Sequence, residues 1–180
     1  RRDVEIDGAY FGGYVKPANN RDNRVDRRLA ENQTGKRRVV VIMRQRKGRT
    51  LPFVFKSEAQ SIDTIADRVS VGATIYADEA TGWDVLHSLF VTKRINHQEA
   101  YSAEGVSTNM AESFFSRLRR AEIGTHHHIS GPYLSAYAAE MAWREDHRRV
   151  SNGQQFLLAA NAALAHPVSR NWKGYWQKKF

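Results

Sequence analysis

Apolar positions fall into short runs in the first half of the chain and into helical spacing in the second. Val4-Glu5-Ile6-Asp7-Gly8-Ala9-Tyr10-Phe11 reads as a strand, broken by Gly12-Gly13. Residues 16–34 are polar, loaded with Arg and Asn, and show no clean period, which predicts a loop. Val39-Val40-Val41-Ile42-Met43 is a largely β-branched run typical of a buried strand. Lys47-Gly48-Arg49 makes a turn, and residues 51–55 supply the next strand, for which Pro52 favours an edge position. Strand, long loop, strand, tight turn, strand describes a three-strand meander.

Ser57 then fits an N-cap, with Gln60 completing a capping box. Ile62, Ile65, Ala66 and Val69 at helical spacing predict an amphipathic helix over residues 57–69, ended by Gly72. Residues 74–77 read as a fourth strand, 81–90 as a short helix and 91–96 as a fifth strand. The second half is helical. One helix covers residues 109–121, a break falls at 126–131, and a long helix covers 132–150. On that long helix Leu134, Tyr137, Ala138, Met141 and Arg144 lie roughly on one face. Gly153 interrupts, and an apolar stretch at 156–165 precedes Pro167. The tail is aromatic and basic, with Trp172, Lys173, Tyr175, Trp176, Lys178 and Lys179. At this length the chain is one domain, residues 1–150, with residues 151–180 as a C-terminal helix and tail packed on it.

Charge changes the picture. Lys plus Arg number 28 against 19 for Asp plus Glu, a net +9 that favours polyanion partners. Residues 16–49 hold 12 of those cations against three acids, which also suits a merely solvated loop at Arg21, Arg24 and Arg28. Without cysteine, disulfides and thiolate metal sites are excluded. No apolar run reaches the ~20 residues of a membrane span, so no membrane partner is expected. Arg1-Arg2-Asp3 is no signal peptide, and the missing initiator Met reads as a processed or excised chain.

Three carboxylates carry the candidate chemistry. Asp7 lies within a short apolar run, Asp78 follows another, and Glu112 opens a helical stretch three residues after Asn109. Carboxylates on separate elements can converge on hard cations, and two such cations about 4 Å apart drive in-line attack on a phosphodiester. Each acid also has a plain structural role available. Asp7 before Gly8 fits a turn, Asp78 beside Glu79 fits a strand end, and Asn109 with Glu112 fits a capping box. A Glu so engaged turns back on its own backbone; a helix starting at Ser107 or Thr108 would instead put Asn109 and Glu112 on one face.

Several stretches, read together, resemble the bacterial insertion-sequence DDE transposases, in the subgroup with an Asn-x-x-Glu third motif. They are Val4-Glu5-Ile6-Asp7 with Tyr10-Phe11-Gly12-Gly13, Ile75-Tyr76-Ala77-Asp78-Glu79, Asn96-His97 with Tyr101, and Thr108-Asn109-Met110-Ala111-Glu112-Ser113. Gly124-Thr125-His126-His127-His128-Ile129-Ser130 follows, then Tyr137 and Glu140 with Trp143-Arg144 and Arg148-Arg149. The resemblance implies an RNase H-like α/β fold: a mixed five-stranded sheet, a meander followed by alternating helices and strands, and a helical C-terminal half. It implies Asp7, Asp78 and Glu112 as ligands of two Mg²⁺ (or Mn²⁺), with Asp7 bridging and Asn109 beside them. DNA, as transposon ends and target, would be the partner, with homo-oligomers assembling on it in the bacterial cytoplasm at the nucleoid.

Arg117, Arg119 and Arg120 follow Glu112 on its helix and are candidates for phosphate contacts. His97 suits a scissile-phosphate contact or a surface or core position; His127 suits a phosphate contact or a structural role. The run His126-His127-His128 lacks the companions of a zinc set. Glu140 fits an auxiliary metal role or a pair with Arg144. Relatives carry a DNA-binding segment, often a cysteine-rich zinc ribbon, before the first Asp. Here Asp7 is almost N-terminal, so the chain reads as the catalytic domain alone. A nuclease of the same fold without strand transfer and a catalytically silent DNA-binding remnant are the competing functions.

Overall fold

The computed structural model describes residues 3–12, 20–25, 32, 35–78, 81–95, 108–169 and 174. Five strands form one sheet: β1 (Asp3–Phe11), β2 (Arg38–Gln45), β3 (Thr50–Phe55), β4 (Thr74–Asp78) and β5 (Val91–Ile95), in the order β3-β2-β1-β4-β5. The meander β1-β2-β3 is antiparallel, while β4 and β5 run parallel to β1. The helices are α1 (Ile62–Arg68), α2 (Leu86–Leu89), α3 (Asn109–Arg120), α4 (Gly131–His147) and α5 (Asn152–Ala165). This mixed sheet with a helical C-terminal half is the RNase H-like arrangement, and Pro52 sits on an edge strand as expected.

Side-chain alternation in the central strands builds two cores. Val39, Val41 and Met43 of β2 join Val4, Ile6, Ile75, Ala77, Ile65, Trp83 and Leu86 on one side of the sheet. Val40 and Ile42 join Ala9, Phe11, Phe114, Leu118, Leu134 and Ala138 on the other. A strand buried on both faces has no polar positions to alternate, hence the unbroken run. Full burial of side chains as large as Trp83 and Phe114 stabilises by about 2–3 kcal/mol each.

Several local expectations are corrected. The helix expected over 57–69 is split into a 3-10 turn, Glu58–Ser61, and α1. Ser57 makes no capping bond, and Gln60 Oε1 instead accepts the Lys56 N–H at 3.1 Å. Residues 81–90 likewise form a 3-10 turn, Thr81–Trp83, before the single turn of α2. α3 continues into a π-helical turn, Ala121–His126, which stops where His127 takes a left-handed φ of 59°. Gly153 interrupts nothing: the break falls before Ser151, whose hydroxyl caps α5 through the Gln154 N–H, and Gly153 lies in the first turn.

α5, expected to pack on the domain, buries none of its residues; Phe156, Leu157 and Leu164 are exposed. The tail beyond residue 169 lies outside the described residues except Gly174, as does most of the loop at 16–34, where Arg21–Asn23 form a 3-10 turn. Among the described residues no helix is long and apolar enough to cross a membrane.

Candidate active site

Parallel pairing of β1 with β4 sets Ile6 against Ala77, so the next residue on each strand is an aspartate: Asp7 and Asp78. Neighbouring strands lie about 4.8 Å apart, which brings the two acids side by side. Asp78 ends β4, whereas Asp7 is inside β1, paired with Ile42, and is no turn residue. Ile6 points into the core under α1, so Asp7, with Ala9 and Phe11, faces the α3 side. There α3 packs through Ala111, Phe114, Phe115 and Leu118, and the half-buried Glu112 follows Ala111 directly.

Electrostatics register this crowding. Burial raises the Asp7 carboxyl from the ordinary 3.8 to about 7, with the charges of Asp78, Glu112 and Glu58 adding to the rise. A hydrogen bond from the Gly8 N–H to Asp7 Oδ1, at 2.7 Å, opposes it. Three carboxylates from three other elements are thus felt at one half-buried aspartate. Among the described residues no three acidic or imidazole groups form a ready-made metal cage. Mg²⁺ does not require one, since it keeps several waters and is commonly held by one or two carboxylates plus substrate phosphates. The donor set, all hard oxygen, suits such a cation.

The start of α3 decides the alternative for Glu112. Thr108 is the N-cap and its carbonyl accepts the Glu112 N–H, so Asn109 is the first helical residue and the Asn109–Glu112 capping box is not formed. Asn109 is exposed at the helix start. The orphan N–H groups of Met110 and Ala111 donate instead to Glu5 Oε2, at 2.9 and 3.2 Å.

Two acids escaped the sequence reading. Glu5 is a charged residue in the middle of an apolar strand, a signal in itself. Glu58 lies in the 3-10 turn after β3, wedged between two glycines. A Cβ on Gly8 would come within 2.9 Å of Glu58 Oε1, and one on Gly82 within 3.1 Å of Glu58 Cβ. Burial, then the Asp78 charge, raises the Glu58 pKa. Only the close passage of the chain at Gly8 and Gly82 reveals it, and that is tertiary information.

The basic candidates separate. Arg117 forms an ion pair with the buried Glu145 of α4. Arg119 is exposed, its guanidinium 6.0 Å from the Phe11 ring centre, and Arg120 is exposed on the last turn of α3. His127 is exposed beyond the π turn, while His126 packs on Tyr137 with ring centres 4.4 Å apart. Glu140 accepts both the Nε and Nη2 of Arg144, at 2.9 and 2.8 Å. His97 lies outside the described residues.

A family model described as the ISXO2-like transposase domain matches residues 2–146. The chain belongs to that family. It is an insertion-sequence DDE transposase domain, and the match runs from β1 almost to the end of α4 and contains Asp7, Asp78, Asn109 and Glu112. No curated protein and no solved structure matches the chain.

The Asp7 environment predicts how the metal-free transposase domain responds to pH. The folded state holds the Asp7 proton up to about pH 7, the unfolded chain only to about 3.8. Stability from this group is therefore complete below the lower value and lost as pH rises through the upper one. Asp7→Asn, neutral at every pH, removes this loss. In EDTA, melting curves should show the variant gaining on wild type between pH 5 and pH 8. A constant difference across that range would contradict the crowding at Asp7.

Proposed function

We propose that this domain cleaves DNA phosphodiesters and joins the freed 3′ ends to target DNA, using two Mg²⁺ or Mn²⁺ ions held by Asp7, Asp78 and Glu112. The observation that carries this reading is the half-buried Asp7, which feels the charge of three other acids, in a chain of net charge +9. Crowded carboxylates repel one another without a cation, and a strongly basic chain suits a phosphate backbone. When bound, the ions would activate the attacking oxygen and stabilise the leaving one. Asp7, with acids on either side, is suited to bridging; Asp78 and Glu112 would each complete one site. Asn109, exposed on the same turn as Glu112, offers an amide to a phosphate or a bound water. The reaction would run where DNA is, in the bacterial cytoplasm, on homo-oligomers gathered on transposon ends.

Supercoiled plasmid and a short duplex with a free 3′-OH, incubated with the protein and Mn²⁺, test the proposal. Nicked plasmid together with joined product is expected. Nicking without joining would assign a nuclease, and binding without cutting a silent DNA-binding domain.

The DNA path has its own test. Arg119 and Arg120 are exposed while Arg117 is held by Glu145, so Arg119→Gln with Arg120→Gln should leave up to two phosphates without a guanidinium. Each phosphate so freed flattens the slope of log K against log salt by about 0.9 on duplex DNA, alike for all sequences. A larger loss of affinity from Arg21→Gln with Arg24→Gln would move the path to that loop.

A further inference from the structure

A helix of twelve residues begins with several backbone N–H groups that its own turns cannot satisfy. In α3 these would ordinarily be capped by the preceding side chain, yet Thr108 makes no such bond. Glu5 takes that place from the neighbouring strand. Its Oε2 accepts from Met110 and Ala111, and its Oε1 accepts the Arg46 Nε at 3.0 Å. The Arg46 guanidinium lies over the Tyr76 ring, 3.9 Å from its centre, and the Arg46 N–H is tied to the Asp3 carbonyl at 2.9 Å. Glu5 is 1 % exposed. Its charge is balanced by the helix N-terminus on one side and a stacked guanidinium on the other.

The placement matters because of what lies at each end. Glu5 is two residues before Asp7 on the same face of β1, and the amides it holds immediately precede Glu112. Resting on the active-site reading above, we propose that Glu5 is a positioning residue: it locks the first turn of α3 to β1 and so fixes Glu112 and Asn109 relative to Asp7 and Asp78. Glu5 touches neither cation nor DNA; it acts through the helix it holds. Residues that orient metal ligands in this way typically matter 10- to 100-fold for metal affinity or activity, roughly the effect expected here.

Glu5→Ala should lower Mn²⁺ affinity, measured by calorimetry or by the free-ion resonance signal, by about 10- to 100-fold. It should lower kcat for nicking and leave KM for DNA near wild type. Hydrogen exchange at the Met110 and Ala111 amides should accelerate. Glu5→Gln keeps one oxygen for the two amides but turns an amide donor toward Arg46, so it should lose less in each measurement. Val69→Ala, which opens the core on the opposite face, controls for general destabilisation and should keep wild-type Mn²⁺ affinity. Glu5→Ala protein with wild-type Mn²⁺ affinity and wild-type protection at Met110 and Ala111 overturns the inference. A wild-type chain that neither binds Mn²⁺ nor nicks DNA overturns the active-site reading instead, and amide protection then decides alone whether Glu5 holds α3.

Discussion

Asp78→Asn is expected to abolish metal-dependent nicking while DNA affinity holds or rises. The substitution keeps side-chain size and removes one negative charge from a site that repels DNA phosphates. One bond made by this residue runs through its backbone carbonyl, which accepts the Arg94 Nε at 2.8 Å and is untouched by the change. Arg94 is further held by an ion pair with Asp84. Fold and DNA surface should therefore survive. On the proposed reading, the missing carboxylate would be one of few protein ligands on a cation whose charge stabilisation contributes several kcal/mol. At 1.36 kcal/mol per tenfold in rate, the loss is on the order of 10³-fold or more. Nicking rates and DNA binding, measured on the same folded variant, check this. A joint loss of activity and affinity would make Asp78 a structural residue.

Neutralising Asp78 should also lower the pKa of Asp7 and of Glu58, since its charge raises both. The difference in stability between pH 5 and pH 8 without metal should shrink accordingly.

What could be read from the sequence was whatever rests on local pattern. The strands follow from short apolar and β-branched runs, Pro52 marks an edge, and Asp7 and Asp78 stand out because one lies within such a run and the other ends one. The misread elements are those where a tertiary contact replaces a local one. Asn109 and Glu112 have capping-box spacing, but the cap comes from Glu5, more than a hundred residues away in sequence. Glu58 stands in a turn whose spacing suits a capped helix, and its approach to Asp7 depends on Gly8 and Gly82 leaving room. Arg117 belongs to a basic cluster in the sequence; its buried partner sits on another helix at position 145. Residues 156–165 read as an apolar stretch in the sequence, and α5 buries none of its residues.

That partner is the centre of the second large effect. Glu145 is 8 % exposed and Arg44, on β2, is 5 % exposed. Arg44 donates to Glu145 at 3.3 Å and to Asp146 at 2.8 Å, and Asp146 also accepts the backbone N–H and hydroxyl of Thr50 on β3. Arg117 and Arg148 close on Glu145 from α3 and from the end of α4. Glu145 thus meets three guanidinium groups, sharing Arg44 with Asp146, and ties α3 and α4 to the sheet. Burial and the neighbouring Arg148, Arg120 and Arg44 lower the Arg117 pKa, a sign of how much positive charge is gathered there. Removing one partner of such a network leaves buried Arg44 with Asp146 as its remaining counter-charge, at a cost of up to about 3–5 kcal/mol. In a domain of this size Glu145→Ala should therefore lower the melting temperature by roughly 10 °C. Arg44→Met combined with Glu145→Leu should recover much of that loss, because it removes the charge with its partner. Glu145→Ala also releases Arg117 to meet DNA, so wherever the variant stays folded the salt dependence of its DNA binding should steepen by roughly the share of one phosphate. Unchanged melting would mean that α4 is held to the sheet by its apolar face alone, through Leu134, Ala138 and Ala142.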